Sequence, residues 1–229
     1  MRALVIGHDH IGDPGYVGRV LEAAGWSLHT FTVVPEHRFH APDVEVRFPD
    51  PSGWDLVLTL GAPWPRSSIA TWVPREIELL ARAHAHGTPI LGICAGAQFL
   101  VEALGGGHEP MGSERVGRHE IRPGVEGIPR GPWFQWHSDR ITVPPGAEVL
   151  ADSADGPEVF RLGASTGVQF HPEMSSGLLD RWLDVTPLPP DRAARLRRDA
   201  ARYESRAFAR AEQLLLTLGH HAAPTVPGG

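Results

Sequence analysis

The chain has 229 residues, a net charge of −6 at pH 7, 41% hydrophobic and 21% charged residues. That profile fits a globular protein with a sizeable core, either one large α/β domain or a domain plus a tail. The acidic balance gives no electrostatic case for nucleic acid or an anionic membrane as partner. All 21 basic residues are arginine, which excludes a Walker-type phosphate loop and a Schiff-base mechanism within this chain, since both need lysine.

The first ten residues, MRALVIGHDH, hold an apolar run of only about five, shorter than a signal-peptide core or a membrane span requires. The run Arg2–Ile6 reads as a strand, followed by the turn residues GDPG and the helical pattern YVGRVLEAAG. Ser27–Val34 is a strand by its β-branched and aromatic content. The pattern then repeats: strand Asp55–Leu60, a loop at Gly61–Pro65, a helix in SIATWVPREIELLARAHAHG ended by Gly87, and the strand PILGI opened by Pro89. Strands that are apolar throughout and alternate with helices indicate a parallel sheet covered on both faces.

After Gly105–Gly107 the texture changes. ERVGRHEIRP, WFQWHSDRITVPPG, EVLADS, EVFRLG and STGVQFHPE read as short strands separated by turn residues, an antiparallel elaboration of the first sheet. Two short helices are expected around Ser176–Asp184 and Asp191–Leu218. The second places Leu196, Ala200, Tyr203, Ala207, Leu214 and Leu218 at helical spacing, with its arginines as a solvated face. No internal repeat is visible.

Cys94 is the single cysteine. It cannot form an internal disulfide, which suits a reducing, cytoplasmic setting. It lies between the strand PILGI and the helical run AGAQFLVEAL, where a helix N-terminus favours a thiolate. Gly92 and Gly96 supply the small neighbours that a sharp strand-to-helix turn needs. The spacing G-x-C-x-G is the thiol counterpart of the serine nucleophile elbow, and the Ala95 N–H would face a developing oxyanion. A small buried residue at a tight turn is the alternative. A cysteine nucleophile also needs a base and an orienting group. In GVQFHPE, His171 ends an apolar strand and Glu173 follows two residues on, the spacing that puts both on one side of an extended segment.

GICAGAQFL and GVQFHPE together, in this order and about eighty residues apart, resemble the class I glutamine amidotransferases. The resemblance runs from about Leu4 to Leu183. FQWHSDRITVPPGAEVLADS is similar to standalone members of the type of the GMP synthetase glutaminase domain. It implies a flavodoxin-like three-layer α/β sandwich with a mostly parallel central sheet, an antiparallel elaboration and C-terminal helices. The amidotransferase domain would span residues 1–185, a helical extension packed on it 186–219, and a flexible tail 220–229.

The resemblance further implies glutamine hydrolysis through a γ-glutamyl thioester on Cys94, with His171 as base and then acid and Glu173 as its orienter. Gln98 would contact bound glutamine, and the Trp136–Asp139 segment, with His137 and Ser138, would meet the substrate's α-amino and carboxylate groups. No cofactor is implied. The acceptor of the ammonia would be activated by a separate synthetase subunit. A self-contained γ-glutamyl amide hydrolase using the same residues, and a non-enzymatic binding homologue, stay open.

One departure stands out. The family usually has Gly-Gly at the strand end that supplies the second oxyanion donor, where this chain has Gly61-Ala62-Pro63. A loop requiring positive φ at the second position would disfavour alanine; a loop that never needed it would not. His8, Asp9, His10, His84 and His86 match no zinc spacing, and His84 and His86 diverge on a helix, so no metal is expected.

Overall fold

The computed structural model describes residues 1–186 and 188–220. Its centre is an eight-stranded sheet built from β1 (Arg2–Gly7), β2 (Ser27–Thr32), β3 (Leu56–Thr59), β4 (Ile90–Ile93), β6 (Arg122–Pro123), β8 (Glu148–Ser153), β9 (Gly156–Leu162) and β10 (Ser165–Val168). The order is β2-β1-β3-β4-β10-β9-β8-β6. The first five strands are parallel and the last three run antiparallel to their neighbours. Strands β3, β4 and β10 are buried at every position, as expected of strands covered on both faces. The order 2-1-3-4-10 is that of a flavodoxin-like sheet, whose ligands sit at the carboxyl ends of the strands.

Helices α1 (Gly15–Ala23), α2 (Val73–Ala85), α3 (Ala95–Ala103), α4 (Ser176–Val185) and α5 (Pro190–Leu218) cover the sheet. The two main apolar clusters lie on its opposite faces. One gathers Val17, Leu21, Leu58, Ile93 and Phe170, and the other Ile6, Val57, Trp72, Leu80 and Leu100.

Three expectations are corrected. Of the segments ERVGRHEIRP and WFQWHSDRIT, only Arg122–Pro123, as β6, extends the main sheet. The rest belongs to a separate antiparallel ribbon of β5 (Gly107–His119) and β7 (Trp133–Thr142), with an irregularity between Pro110 and Arg115. The ribbon's polar, weakly alternating sequence does not suit burial on two faces. Second, β10 ends at Val168 and pairs parallel with β4, so Phe170 and His171 stand beyond the strand. His171 is fixed instead by its N–H donating to the Phe134 carbonyl of β7 at 2.8 Å. Third, α5 has the expected bounds to within one residue, but at 29 residues it is not short. It is sustained by a continuous apolar stripe, with Ala193, Leu196, Ala200, Ala207, Ala211, Leu214, Leu215 and Leu218 buried, and Gly219 in the left-handed region ends it. Tyr203 is only partly buried and lies under the guanidinium groups of Arg118, Arg202 and Arg210. Of the tail 220–229, His220 is buried with its N–H on the Leu215 carbonyl; residues 221–229 lie outside the described part. Among the described residues, no helix is long and apolar enough to cross a membrane.

Candidate active site

Cys94 joins β4 to α3 in a conformation with φ 53° and ψ −111°. It is the one non-glycine residue with positive φ among those described. Such a conformation costs of order 1–3 kcal/mol and persists only where its surroundings enforce it. They do so here by close packing. A Cβ at Gly92 would stand 2.7 Å from the Gly96 carbonyl oxygen, and one at Gly96 would overlap the Thr59 carbonyl. The Cys94 N–H donates to Val168 at 2.8 Å and the Gly96 N–H to Leu60 at 3.0 Å, so both strands flanking β4 hold the elbow. The thiol is 6% exposed and opens onto a cavity of about 640 Å³. Its hydrogen-bond contact is the Trp136 carbonyl, 3.8 Å from Sγ.

His171 and Glu173 follow β10, the strand next to β4. His171 Nδ1 lies 2.7 Å from Glu173 Oε1, and both side chains are 2% exposed. That contact assigns the proton on Nδ1 and leaves Nε2, which has no hydrogen-bond partner, for the sulfur. Trp182 of α4 packs edge-on against the imidazole with ring centroids 4.9 Å apart, and the Phe134 ring lies at 6.1 Å. Burial alone would lower the pKa of His171. The Glu173 carboxylate, and after it the charge on neighbouring Cys94, outweigh burial and push it up to about 10. An imidazolium is therefore the resting state at neutral pH. Glu173 is held by its own main chain, since its carbonyl accepts the Tyr16 N–H at 3.0 Å at the start of α1. A side chain at Gly15 would overlap that carbonyl.

The carboxyl ends of β3, β4 and β10 thus bring Gly61, Cys94 and His171 together. A Cβ placed on Gly61 would be 3.2 Å from His171 Cε1 and 4.0 Å from Cys94 Sγ, so a side chain there would press on the imidazole. Ala95 and Ala62 line the same cavity as Cys94 and each carries a main-chain N–H. Neither N–H has a hydrogen-bond partner among the described residues; at Ala95 this is the normal state of a helix's first turn. Ala62 does not adopt positive φ, so its side chain imposes no strain in this arrangement.

The cavity is also lined by Gln98, Trp136, His137, Ser138 and Asp139, so every site residue expected from sequence borders one space. Their placements differ, however. Gln98 is 8% exposed on α3 and His137 is 7% exposed, while Ser138 is exposed. His137 turns into the ribbon, with Nδ1 2.8 Å from the Asp139 carbonyl and Nε2 3.2 Å from Gln135 Oε1. Burial lowers its pKa to about 4, so it is neutral and is held as part of the ribbon. Trp182, Asp9, Arg66 and Glu114 reach the same cavity without having been expected there. Asp9 does carry a local signal, an Asx turn onto the N–H groups of Ile11 and Gly12. Trp182 carries none, since its partner lies in another element. Among the described residues no cluster of three or more metal-ligating side chains occurs. His84 turns to Ser165, 2.9 Å away, and His8 pairs with buried Glu76.

The fold and these side chains define a flavodoxin-like α/β domain with a cysteine–histidine–glutamate constellation at the sheet's carboxyl edge. Residues 27–183 match the family described as glutamine amidotransferase class-I, and the chain belongs to that family. It is 40% identical over 120 residues to a GMP synthase [glutamine-hydrolyzing] of Porphyromonas gingivalis, an alignment covering 45% of this chain and 24% of that protein. It is 37% identical over 131 residues to the GMP synthase [glutamine-hydrolyzing] of Thermus thermophilus, covering 52% and 24%. The matched segment therefore spans about a quarter of those relatives. Among solved structures, a glutamine amidotransferase from Thermotoga maritima superposes with a TM-score of 0.78 at 22% identity, covering 95% of this chain and 97% of that one. A glutamine amido transferase from Methylobacillus flagellatus gives 0.81 at 19% identity, covering 97% and 95%. These two similarities concern the fold.

Proposed function

We propose that the protein hydrolyses the side-chain amide of glutamine through Cys94 and delivers the ammonia to a separate acceptor enzyme. The observation that carries this reading is the 2.7 Å His171–Glu173 contact beside a cysteine held at a strained elbow. Sγ, its proton resting on His171, attacks the amide carbon. The carbonyl oxygen becomes an oxyanion facing the N–H groups of Ala95 and Ala62, each donor of this kind contributing roughly 10²–10³ in rate. His171 gives its proton to the nitrogen as the C–N bond breaks, which releases ammonia and leaves a γ-glutamyl thioester. Water then attacks the thioester carbon, giving a proton back to His171, and the sulfur departs as thiolate with glutamate as product. The family match supports this reading, as does the likeness to the GMP synthases, which are named as glutamine-hydrolysing and are about four times as long as the matched segment.

A second reading is favoured by the cavity itself. At about 640 Å³ it falls in the range that encloses drug-sized ligands, so a γ-glutamyl compound with a substituent on its amide nitrogen would fit, with no partner needed. One assay separates the two. Glutamate release by the isolated protein is measured with glutamine and with a panel of γ-glutamyl amines, beside Cys94→Ser. Turnover of glutamine supports the first reading, and turnover of the amines alone supports the second. Retained turnover in Cys94→Ser, with thermal unfolding unchanged, would rule out the thioester route for both.

A further inference from the structure

His8 is the first residue after β1 and is fully buried, yet it does not line the cavity. Both ring nitrogens are engaged. Nε2 lies 2.9 Å from Glu76 Oε2, and Nδ1 lies 2.9 Å from the Gly61 carbonyl oxygen. Glu76, also fully buried, accepts a second hydrogen bond from the Thr59 hydroxyl at 2.6 Å. The ring is stacked on Trp72 at 5.2 Å and meets Phe99 edge-on at 5.6 Å, so it has one orientation. A carbonyl oxygen only accepts, and therefore Nδ1 carries a proton.

The consequence passes through one peptide bond. The Gly61–Ala62 peptide is trans, and in a trans peptide the C=O and the following N–H point in opposite directions. Holding the Gly61 oxygen toward His8 aims the Ala62 N–H away from His8, which stands outside the cavity that Ala62 shares with Cys94 and Ala95. We propose that His8, braced by Glu76 and Thr59, is a positioning residue that locks the Gly61–Ala62 peptide with its N–H, and not its oxygen, toward the oxyanion. This rests on the amide-hydrolysis reading above. Rotating the peptide by half a turn would present a carbonyl to the developing negative charge and carry φ of Ala62 into the positive range, which a Cβ disfavours. Alanine where the family usually has glycine thus works with His8, since both oppose the rotated state. Burial alone would lower the pKa of His8, but the Glu76 charge and the hydrogen bonds that the ring donates to Glu76 and Gly61 raise it, in keeping with a donor that stays protonated.

The test uses a pair of variants of nearly equal shape. His8→Asn keeps an N–H near the position of Nδ1, and His8→Leu does not. With the substrate the wild type turns over, His8→Leu should lower kcat at least tenfold with KM within about twofold, because an oxyanion donor acts in the transition state. His8→Asn should recover most of that loss, and alkylation of Cys94 by iodoacetamide, which forms no oxyanion, should be unchanged in both. Equal losses in the two variants, or a change confined to KM, would overturn the proposal, as would a matching loss in alkylation. If neither variant folds, Thr59→Val reads the same chain: a lower kcat at constant KM supports it and an unchanged kcat overturns it. If the wild type hydrolyses nothing on the γ-glutamyl panel, the functional reading fails. The device is then judged by a crystal structure of His8→Leu. A Gly61 carbonyl turned into the cavity supports it, and one left in place overturns it.

Discussion

Replacing Glu173 by glutamine keeps an oxygen able to accept the His171 Nδ1–H and removes only the charge. In the native site the two groups are 2.7 Å apart and 2% exposed. Charge centres about 4 Å apart attract by about 4 kcal/mol at an effective dielectric constant of about 20, which corresponds to about three pH units in the imidazole's pKa. The native value of about 10 would then fall to about 7 in the variant. Glutamate release is measured from pH 6 to pH 10. Wild type should keep its imidazolium acid nearly to the top of that range, whereas Glu173→Gln should lose it above neutrality. The variant should therefore be within a few-fold of wild type at pH 6 and roughly thirtyfold slower at pH 8.5. Stability carries the same signature. A histidine whose folded pKa is raised stabilises fully below its unfolded pKa of about 6.5 and loses that contribution as pH rises through the folded value. The Tm advantage of wild type should narrow between about pH 6.5 and pH 10. An equal loss of rate at every pH would refute this reasoning and reduce Glu173 to an orienting group.

Gly96→Ala would drive a Cβ into the Thr59 carbonyl, with the Thr59 hydroxyl oxygen only 2.8 Å away. The elbow has to open, and a destabilisation of about 1–3 kcal/mol is expected by denaturant unfolding, with turnover lost as well; an unaltered midpoint would contradict the packing described. A glutamine-like diazo-ketone should add once, to Cys94, and prior treatment with a γ-glutamyl substrate should slow the addition, both read by intact-protein mass spectrometry.

The parallel half of the sheet was legible because its strands declare themselves locally. LVLT and ILGI carry no charged residue and, Thr59 apart, no polar side chain, and glycines or prolines mark their ends. The elbow was legible for a related reason, since Gly92 and Gly96 record a steric demand in the sequence itself. What escaped was set by partners far along the chain. The β5–β7 ribbon stands apart from the sheet although neither strand's pattern says so. His171 is fixed by the main chain of Phe134, and Trp182 comes to it from another element. His8 and Glu76 are 68 residues apart, and in the sequence His8 resembled at most a stray metal ligand.

Cysteine is a poor choice for the backbone shape found at position 94. A φ of 53° with a ψ of −111° suits a residue without a side chain, and glycine there would relieve of order 1–3 kcal/mol. A chain selected for robustness alone would gain by giving the sulfur up. That strain, at the edge of a hollow of about 640 Å³, is the burden that the nucleophile proposed for Cys94 would have to carry.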